Sequence, residues 1–198
     1  MYDPSATYYP PQWYWLADDG RVYSGPLQAI VSQQDPGYVA WIEPGRVATA
    51  WPRDLAGNQT DAALQQVLEQ HDMFVNLNYY TVNKRWQKEQ GGIVATAGFP
   101  IKTNDRAQAK ITGIYAASKE APSVTTPFHA ADNTVHELTA AQMYELNSDL
   151  LTHINNCFAI SADVLADIQA GTITTREQVD AAFDAPITQA RKDWMKTG

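Results

Sequence analysis

Thr139 to Gly171 reads TAAQMYELNSDLLTHINNCFAISADVLADIQAG. It opens on a residue type that caps helix N-termini and closes on one that ends helices, with no Pro or Gly between. The spacing predicts one long helix from Thr139 to about Ala170. Read in sevens, one column is Met143, Leu150, Cys157 and Val164, and the next is Tyr144, Leu151, Phe158 and Leu165. A third column, Asn147, Ile154, Ser161 and Ile168, is interrupted by polar residues. Repetition at seven keeps such columns on one side of a gently supercoiled helix. Met143, Leu150, Leu151, Ile154 and Phe158 are therefore candidates for a coiled-coil seam between copies of the chain. The alternative is that one flank packs on the chain's own hairpin and on a helix over 103–119.

Upstream of this helix the signals are mixed. Tyr79 to Gln90 is predicted helical and stops at Gly91-Gly92. Ile93 to Thr96 and Phe99 to Ile101 read as short strands around Gly98. Thr103, Asn104 or Asp105 can cap a helix through about Lys119. Val124 to Phe128 and Thr134 to Leu138 read as a hairpin turning at Asp132-Asn133. Beyond Gly171, Thr174 or Thr175 starts a shorter helix, Arg176 to Phe183, halted by Pro186.

The first part of the chain differs in kind. Residues 1–12, with Pro4, Pro10 and Pro11, read as an extended N-terminal arm. Trp13 to Leu16, Asp18-Asp19-Gly20 and Arg21 to Tyr23 form a hairpin signal, aromatic and β-branched runs around an Asp-Gly turn. Residues 38–51 give a weaker segment, turn and segment, with helix possible for the first. Thr60 to His71 reads as a helix striped by Ala63, Leu64, Val67 and Leu68. The expected fold class is α+β. It divides into an arm at 1–12, a small β-rich unit closed by a helix at 13–75, and an α+β domain at 76–198.

Ten Tyr and Trp residues crowd into the first 51, among them Tyr8, Tyr9, Trp13, Tyr14, Trp15, Tyr23, Tyr38, Trp41 and Trp51. A unit this small cannot easily bury them all. Surplus exposed aromatics are typical of protein interfaces and of sugar-binding faces. Tyr8, Tyr9, Trp13, Trp15, Trp41 and Trp51 are the interface candidates here, against the alternative of an aromatic-rich core.

Of 198 residues, 44% are hydrophobic and 18% charged, with a net charge of -8, so the chain can bury a core and is no disordered polymer. The acidic balance argues against nucleic acid, whose binding needs a basic stripe to displace counterions. The local basic cluster, Lys84, Arg85 and Lys88, reads as a solvated helical face. A single cysteine, Cys157, allows neither an intramolecular disulfide nor a thiolate metal site, and its apolar flanks suggest a buried thiol. No phosphate loop, His-Glu-x-x-His helix or Gly-x-Ser-x-Gly elbow is present. His129, Asp132 and His136 around the proposed turn form the one arrangement weighed as a metal triad, against the ordinary preference of turns for Asp and Asn. The expectation is no catalysis, no cofactor and no metal. Met1 to Pro4 lack a signal-peptide pattern and no apolar run spans a membrane, so synthesis in a cytoplasm without membrane insertion is expected.

A series of short motifs resembles a known family. They are Gly91-Gly92-Ile93, Gly98 to Gln108, Ile111-Thr112-Gly113, Asp132 to Val135, Leu138 to Met143, and His153 to Phe158. Together, over roughly residues 78–185, they resemble an uncharacterised C-terminal domain of tail-fibre and tail-fibre-assembly proteins from tailed bacteriophages. The resemblance brings no catalytic residue with it. It implies a structural protein of the tail fibre, tail tip or baseplate, located in the virion and used in fibre attachment or host adhesion. Its implied partners are other tail proteins and a host surface receptor, with self-association as a trimer because fibres are commonly trimeric. A fibre-assembly chaperone absent from the mature particle is the alternative. A carbohydrate-binding or hydrolytic module, resting on the aromatics alone, is a third class.

Overall fold

The computed structural model describes residues 8–185. The class is α+β, as expected, and the chain divides into two compact units between Tyr80 and Thr81.

The N-terminal unit is built on a sheet of four short strands, β1 (Tyr14–Leu16), β2 (Val22–Ser24), β3 (Ala29–Val31) and β4 (Thr49–Ala50), in the order β3-β2-β1-β4. β1 and β2 form the expected antiparallel hairpin, Trp15 opposite Tyr23. β4 joins β1 in parallel, with Trp15 opposite Thr49. Successive side chains on a strand point to opposite faces, and here both faces are covered. Trp15 and Tyr23 enter one cluster with Trp51, Leu64, Leu68, Met73 and Val75. Tyr14 and Val22 enter another with Tyr38, bordered by Leu16, Val31, Trp41 and Ile42. Helix α1 (Pro36–Ile42) supplies the second cluster and α2 (Asp61–Leu68) the first. α1 begins with Asp35 accepting from the Tyr38 N–H and Pro36 in the first turn, a pairing that fixes its start. The first segment of residues 38–51, for which helix was possible, is thus a helix, and the second holds β4.

Buried polar groups lock this unit. Gln65 spans the extended segment after α2: its Nε2 donates to Met73 O at 3.0 Å and its Oε1 accepts from the Val75 N–H at 2.9 Å. Tyr23 Oη donates to Phe74 O at 3.0 Å, and Trp51 Nε1 to Thr60 O at 2.9 Å. Each bond satisfies a group that would otherwise cost about 1–3 kcal/mol to bury. The unit ends later than residue 75, because Tyr79 packs on the first cluster and Tyr80 meets Phe74 edge-on.

The division falls inside helix α3 (Leu77–Gln90). In the C-terminal unit a two-stranded ribbon of β5 (Ile93–Val94) and β6 (Pro100–Ile101) leads to α4 (Asp105–Glu120), capped by Asn104. The hairpin of β7 (Thr126–His129) and β8 (Val135–Leu138) follows. Helix α5 (Ala140–Ala170) is the long helix read from the sequence. Thr139 and Gln142 close a reciprocal capping box at its start, and Gly171, at φ 75°, ends it in the left-handed conformation that favours glycine. α6 (Arg176–Asp184) repeats the device with Thr175 and Gln178. Pro186, expected to halt α6, lies outside the described residues. The core joins Phe99, Ile101, Ile111, Phe128 and Leu138 to Met143, Leu146 and Leu150 of α5. No described helix is long and apolar enough to cross a membrane.

Candidate functional site

The N-terminal unit carries a groove of about 470 Å³ bordered by Tyr9, Trp13, Tyr14, Pro26, Trp41 and Arg46. Its construction starts before the first strand. Pro10–Gln12 form a single 3-10 turn, closed by the Trp13 N–H donating to Pro10 O at 3.0 Å, with Pro10 buried. This corrects the extended arm for residues 10–12. Proline's fixed φ suits a tight helical turn as well as an extended one, and burial of Pro10 selects the turn. Residues 1–7 of the expected arm lie outside the described residues.

The turn is held from below by Gly25. Its N–H donates to Trp13 O at 2.8 Å, and a Cβ there would stand 2.1 Å from Pro10 O, a distance no side chain tolerates. Trp13 is anchored at its other end, where Nε1 donates to Thr49 Oγ1 at 2.8 Å. Its ring meets Trp41 edge-on at 5.0 Å, and Tyr8 packs edge-on against it at 5.3 Å. Tyr14 lies 5.2 Å from Trp41 and 5.3 Å from Tyr38, and the Arg46 guanidinium sits 5.8 Å from the Trp41 ring. Ring pairs such as Trp13–Trp41 and Tyr8–Trp13 contribute about 0.5–1.5 kcal/mol each beyond their buried area, which holds these rings against one another. Among the described residues the lining holds no carboxylate, imidazole or thiol. It offers aromatic rings alongside the Gln12 amide and one guanidinium.

The structure therefore sorts the six aromatic candidates. Tyr8, Tyr9, Trp13 and Trp41 gather around the groove, with Tyr8 and Tyr9 about half exposed. Trp15 and Trp51 are each 1% exposed and belong to the unit's own core, which corrects their place among interface candidates. They face α2, and the same register that puts Trp15 opposite Tyr23 takes it away from the surface. Pro26 and Arg46 were missed. Arg46 carried no motif, and Pro26 reaches the groove only because Gly25 allows the chain to pass so close.

In the C-terminal unit the five α5 candidates also divide. Met143 and Leu150 are core, 0% and 1% exposed, and are not available to a second chain. The reason is the one weighed as the alternative: the ribbon, α4 and the hairpin cover that column. Ile154 borders the same core. Leu151 and Phe158 are exposed, in line with Tyr144, so the open column is the neighbouring one. Phe158 carries the Arg85 guanidinium 4.3 Å over its ring, and Tyr144 lies 6.0 Å from Tyr115.

The remaining candidates resolve as structure. His129 pairs with Val135 and His136 with Phe128, so the two imidazoles leave opposite faces of the hairpin. His136 stacks on Phe99 at 4.0 Å and bonds Thr134, while Asp132 accepts from Thr134 within its own turn. Among the described residues no three His, Cys, Asp or Glu side chains are placed to hold a metal ion. His153 is half-buried, and its Nε2 lies 3.1 Å and 3.3 Å from the Lys88 and Glu89 carbonyls, capping the end of α3. Burial, with Glu89 nearby, pushes the Cys157 thiol up to about 11, leaving it protonated and unreactive at neutral pH. The Lys84, Arg85 and Lys88 cluster pairs with Asp180, Glu89 and Asp184.

Residues 79–185, more than half of the chain, match a family model described as a domain of unknown function, DUF4376. The chain belongs to the DUF4376 family. The matched DUF4376 region takes in the last turns of α3 and everything through α6, so the capping boxes, the ribbon, the hairpin and the two-sided α5 are features of its fold in this chain. The aromatic groove lies before it, in the N-terminal unit. No curated protein and no solved structure matches the chain.

Proposed function

We propose that the chain is a structural protein of a bacteriophage tail, part of the fibre, tail tip or baseplate region, and that it works by holding partner proteins and catalyses nothing. The tail assignment rests on the resemblance of the motifs within residues 78–185. The observation that carries the binding mode is the groove in which Tyr9 is exposed and Trp13 and Trp41 are only half-buried, although the unit fully buries Trp15 and Trp51. Rigid aromatic anchors beside an arginine are the residues that dominate binding energy at protein contacts. The occupant suited to them is an extended segment of another tail protein, laid along the rings. Host adhesion through the same assembly, and self-association as a trimer along the open α5 column of Tyr144, Leu151 and Phe158, complete the proposal.

Quantitative mass spectrometry of purified phage particles tests it. A structural role requires the chain at fixed copy number relative to the other tail proteins. Presence in infected cells but absence from finished particles would replace it with the assembly-chaperone reading. Light scattering of the isolated protein tests the self-association, since a mass near the 21.9 kDa of one chain at micromolar concentration would exclude a stable trimer.

A further inference from the structure

Among the described residues of this acidic chain, three cations stand apart from the rest. Arg21, Arg53, Lys84, Arg85 and Lys88 each sit in an ion pair, Arg46 and Lys119 lie over aromatic rings, and Arg176 is also engaged. Among the described residues, Lys102, Arg106 and Lys110 have no ion pair, side-chain hydrogen bond or ring contact, and all three line one cavity of about 380 Å³ in the C-terminal unit. The topology brings them there. Lys102 follows β6, and Arg106 and Lys110 stand one turn apart on α4, neighbours on one face of the helix. His129, at the end of β7, lies on the same rim. Like charges at that helical spacing repel, so the arrangement opposes folding until an anion occupies it.

The rest of the lining fits such an occupant. Asn104 caps α4 by taking the Ala107 N–H, which leaves the Asp105 and Arg106 N–H groups without an intrahelical carbonyl, and the helix dipole adds positive potential at the same end. The acids nearest in sequence are turned to other work. Asp105 accepts from Gln90 Nε2 at 2.7 Å, and Asp132 is held by Thr134; neither lines the cavity. Buried Ile111, Phe128 and Ala130 make an apolar floor below the charged rim. The volume falls in the range of small-molecule sites, which combine an apolar floor with a few convergent polar groups.

We propose that this cavity binds a phosphoryl group, held by Lys102, Arg106 and Lys110, either as the free ion or as the monoester of a small molecule whose body rests on Ile111 and Phe128. Charge selects phosphate over carboxylate: three monocations and a helix N-terminus match a dianion, and the guanidinium fork adds two parallel hydrogen bonds to it.

The test titrates the full chain with phenyl phosphate, inorganic phosphate and benzoate at constant ionic strength, following backbone amide shifts by NMR. The expected result is saturable binding of phosphate at one site, with the largest shifts at Lys102, Ala107, Lys110 and Ala130. Arg106→Gln and Lys110→Gln should each weaken it by roughly tenfold or more, about 1.4 kcal/mol or above. Lys119→Gln, on the same helix but outside the cavity, should leave it unchanged. Phenyl phosphate binding tighter than inorganic phosphate assigns the site to a monoester, and equal affinities assign it to the free ion. Shifts that follow chloride at equal ionic strength, benzoate binding as tightly as phenyl phosphate, or undiminished binding in Arg106→Gln would each overturn the proposal.

Discussion

The two units answer the same problem, burying a core in a short chain, in opposite ways. The N-terminal unit packs aromatic side chains against both faces of a sheet whose strands are two or three residues long. The C-terminal unit relies on one helix of 31 residues, whose buried face sets Met143, Leu146, Leu150, Ile160 and Val164 among a few small or polar residues and whose aromatics, Tyr144 and Phe158, face outward. In both, identical side chains lie one or two residues apart and meet different fates: Trp13 at the groove and Trp15 in the core, Leu151 in the open and Leu150 inside. The lesson is that residue type marks neither core nor surface here. What decides is which flank a distant element covers.

The contrast is sharpest where the expected costs are largest. Trp15→Ala removes a fully enclosed indole and should destabilise the protein by about 3–5 kcal/mol, whereas Trp41→Ala should cost no more than about 2 kcal/mol. Chemical denaturation of the two variants measures this, and equal losses would make the groove aromatics part of the core. On α5, Leu150→Ala should cost about 2–5 kcal/mol and Leu151→Ala within about 0.5 kcal/mol. If Leu151→Ala proves as costly as its neighbour in a protein that scatters light as a monomer, the assignment of the two columns is wrong.

Much of this division was legible beforehand. The helix from Thr139 to Ala170 was readable because its caps and its periodicity are local and agree. The hairpin of β1 and β2 was readable from the Asp-Gly turn. β3 was not, since Ala29–Val31 is short, and β4 showed only as the second weak segment of residues 38–51, because Thr49–Ala50 pairs with a distant β1 that offers it a parallel edge. The crowd of aromatics pointed to the groove, but its sorting depended on α2 covering one face, which no window around Trp15 contains. The basic cavity was hidden for the same reason. Lys84, Arg85 and Lys88 stood out as a cluster and proved to be paired, while Lys102, Arg106 and Lys110 are dispersed in sequence and converge only in the fold.

Two smaller effects sharpen the picture within each unit. Gly25→Ala must push Pro10 O away, and overpacking of this kind costs about 1–3 kcal/mol. It should also loosen Trp13, visible as a red-shifted or quenched tryptophan emission relative to the parent chain. In the C-terminal unit Asn147 is buried with its Oδ1 unpartnered, so Asn147→Leu should raise stability by up to about 1 kcal/mol. A loss instead would mean that Asn147 has a partner in the folded protein. Cys157 serves as a probe with no energetic cost: the native thiol should resist Ellman's reagent at pH 8 and react at once in denaturant. Because burial raises its folded pKa above the unfolded value, its contribution to stability is complete below about pH 9 and declines as the pH rises toward 11.

The central claim is that the aromatics left over from the N-terminal core bind another tail protein. The direct measurement is competitive incorporation, in which phage lacking the gene is complemented with equal amounts of the parent chain and the Trp13→Ala/Trp41→Ala variant, and both are counted in purified particles by isotope-coded mass spectrometry. The account predicts a variant that stays folded and soluble in the cell yet enters particles at less than roughly a tenth of the parent level, a discrimination of about 1.4 kcal/mol or more. Equal incorporation of the two chains would contradict it.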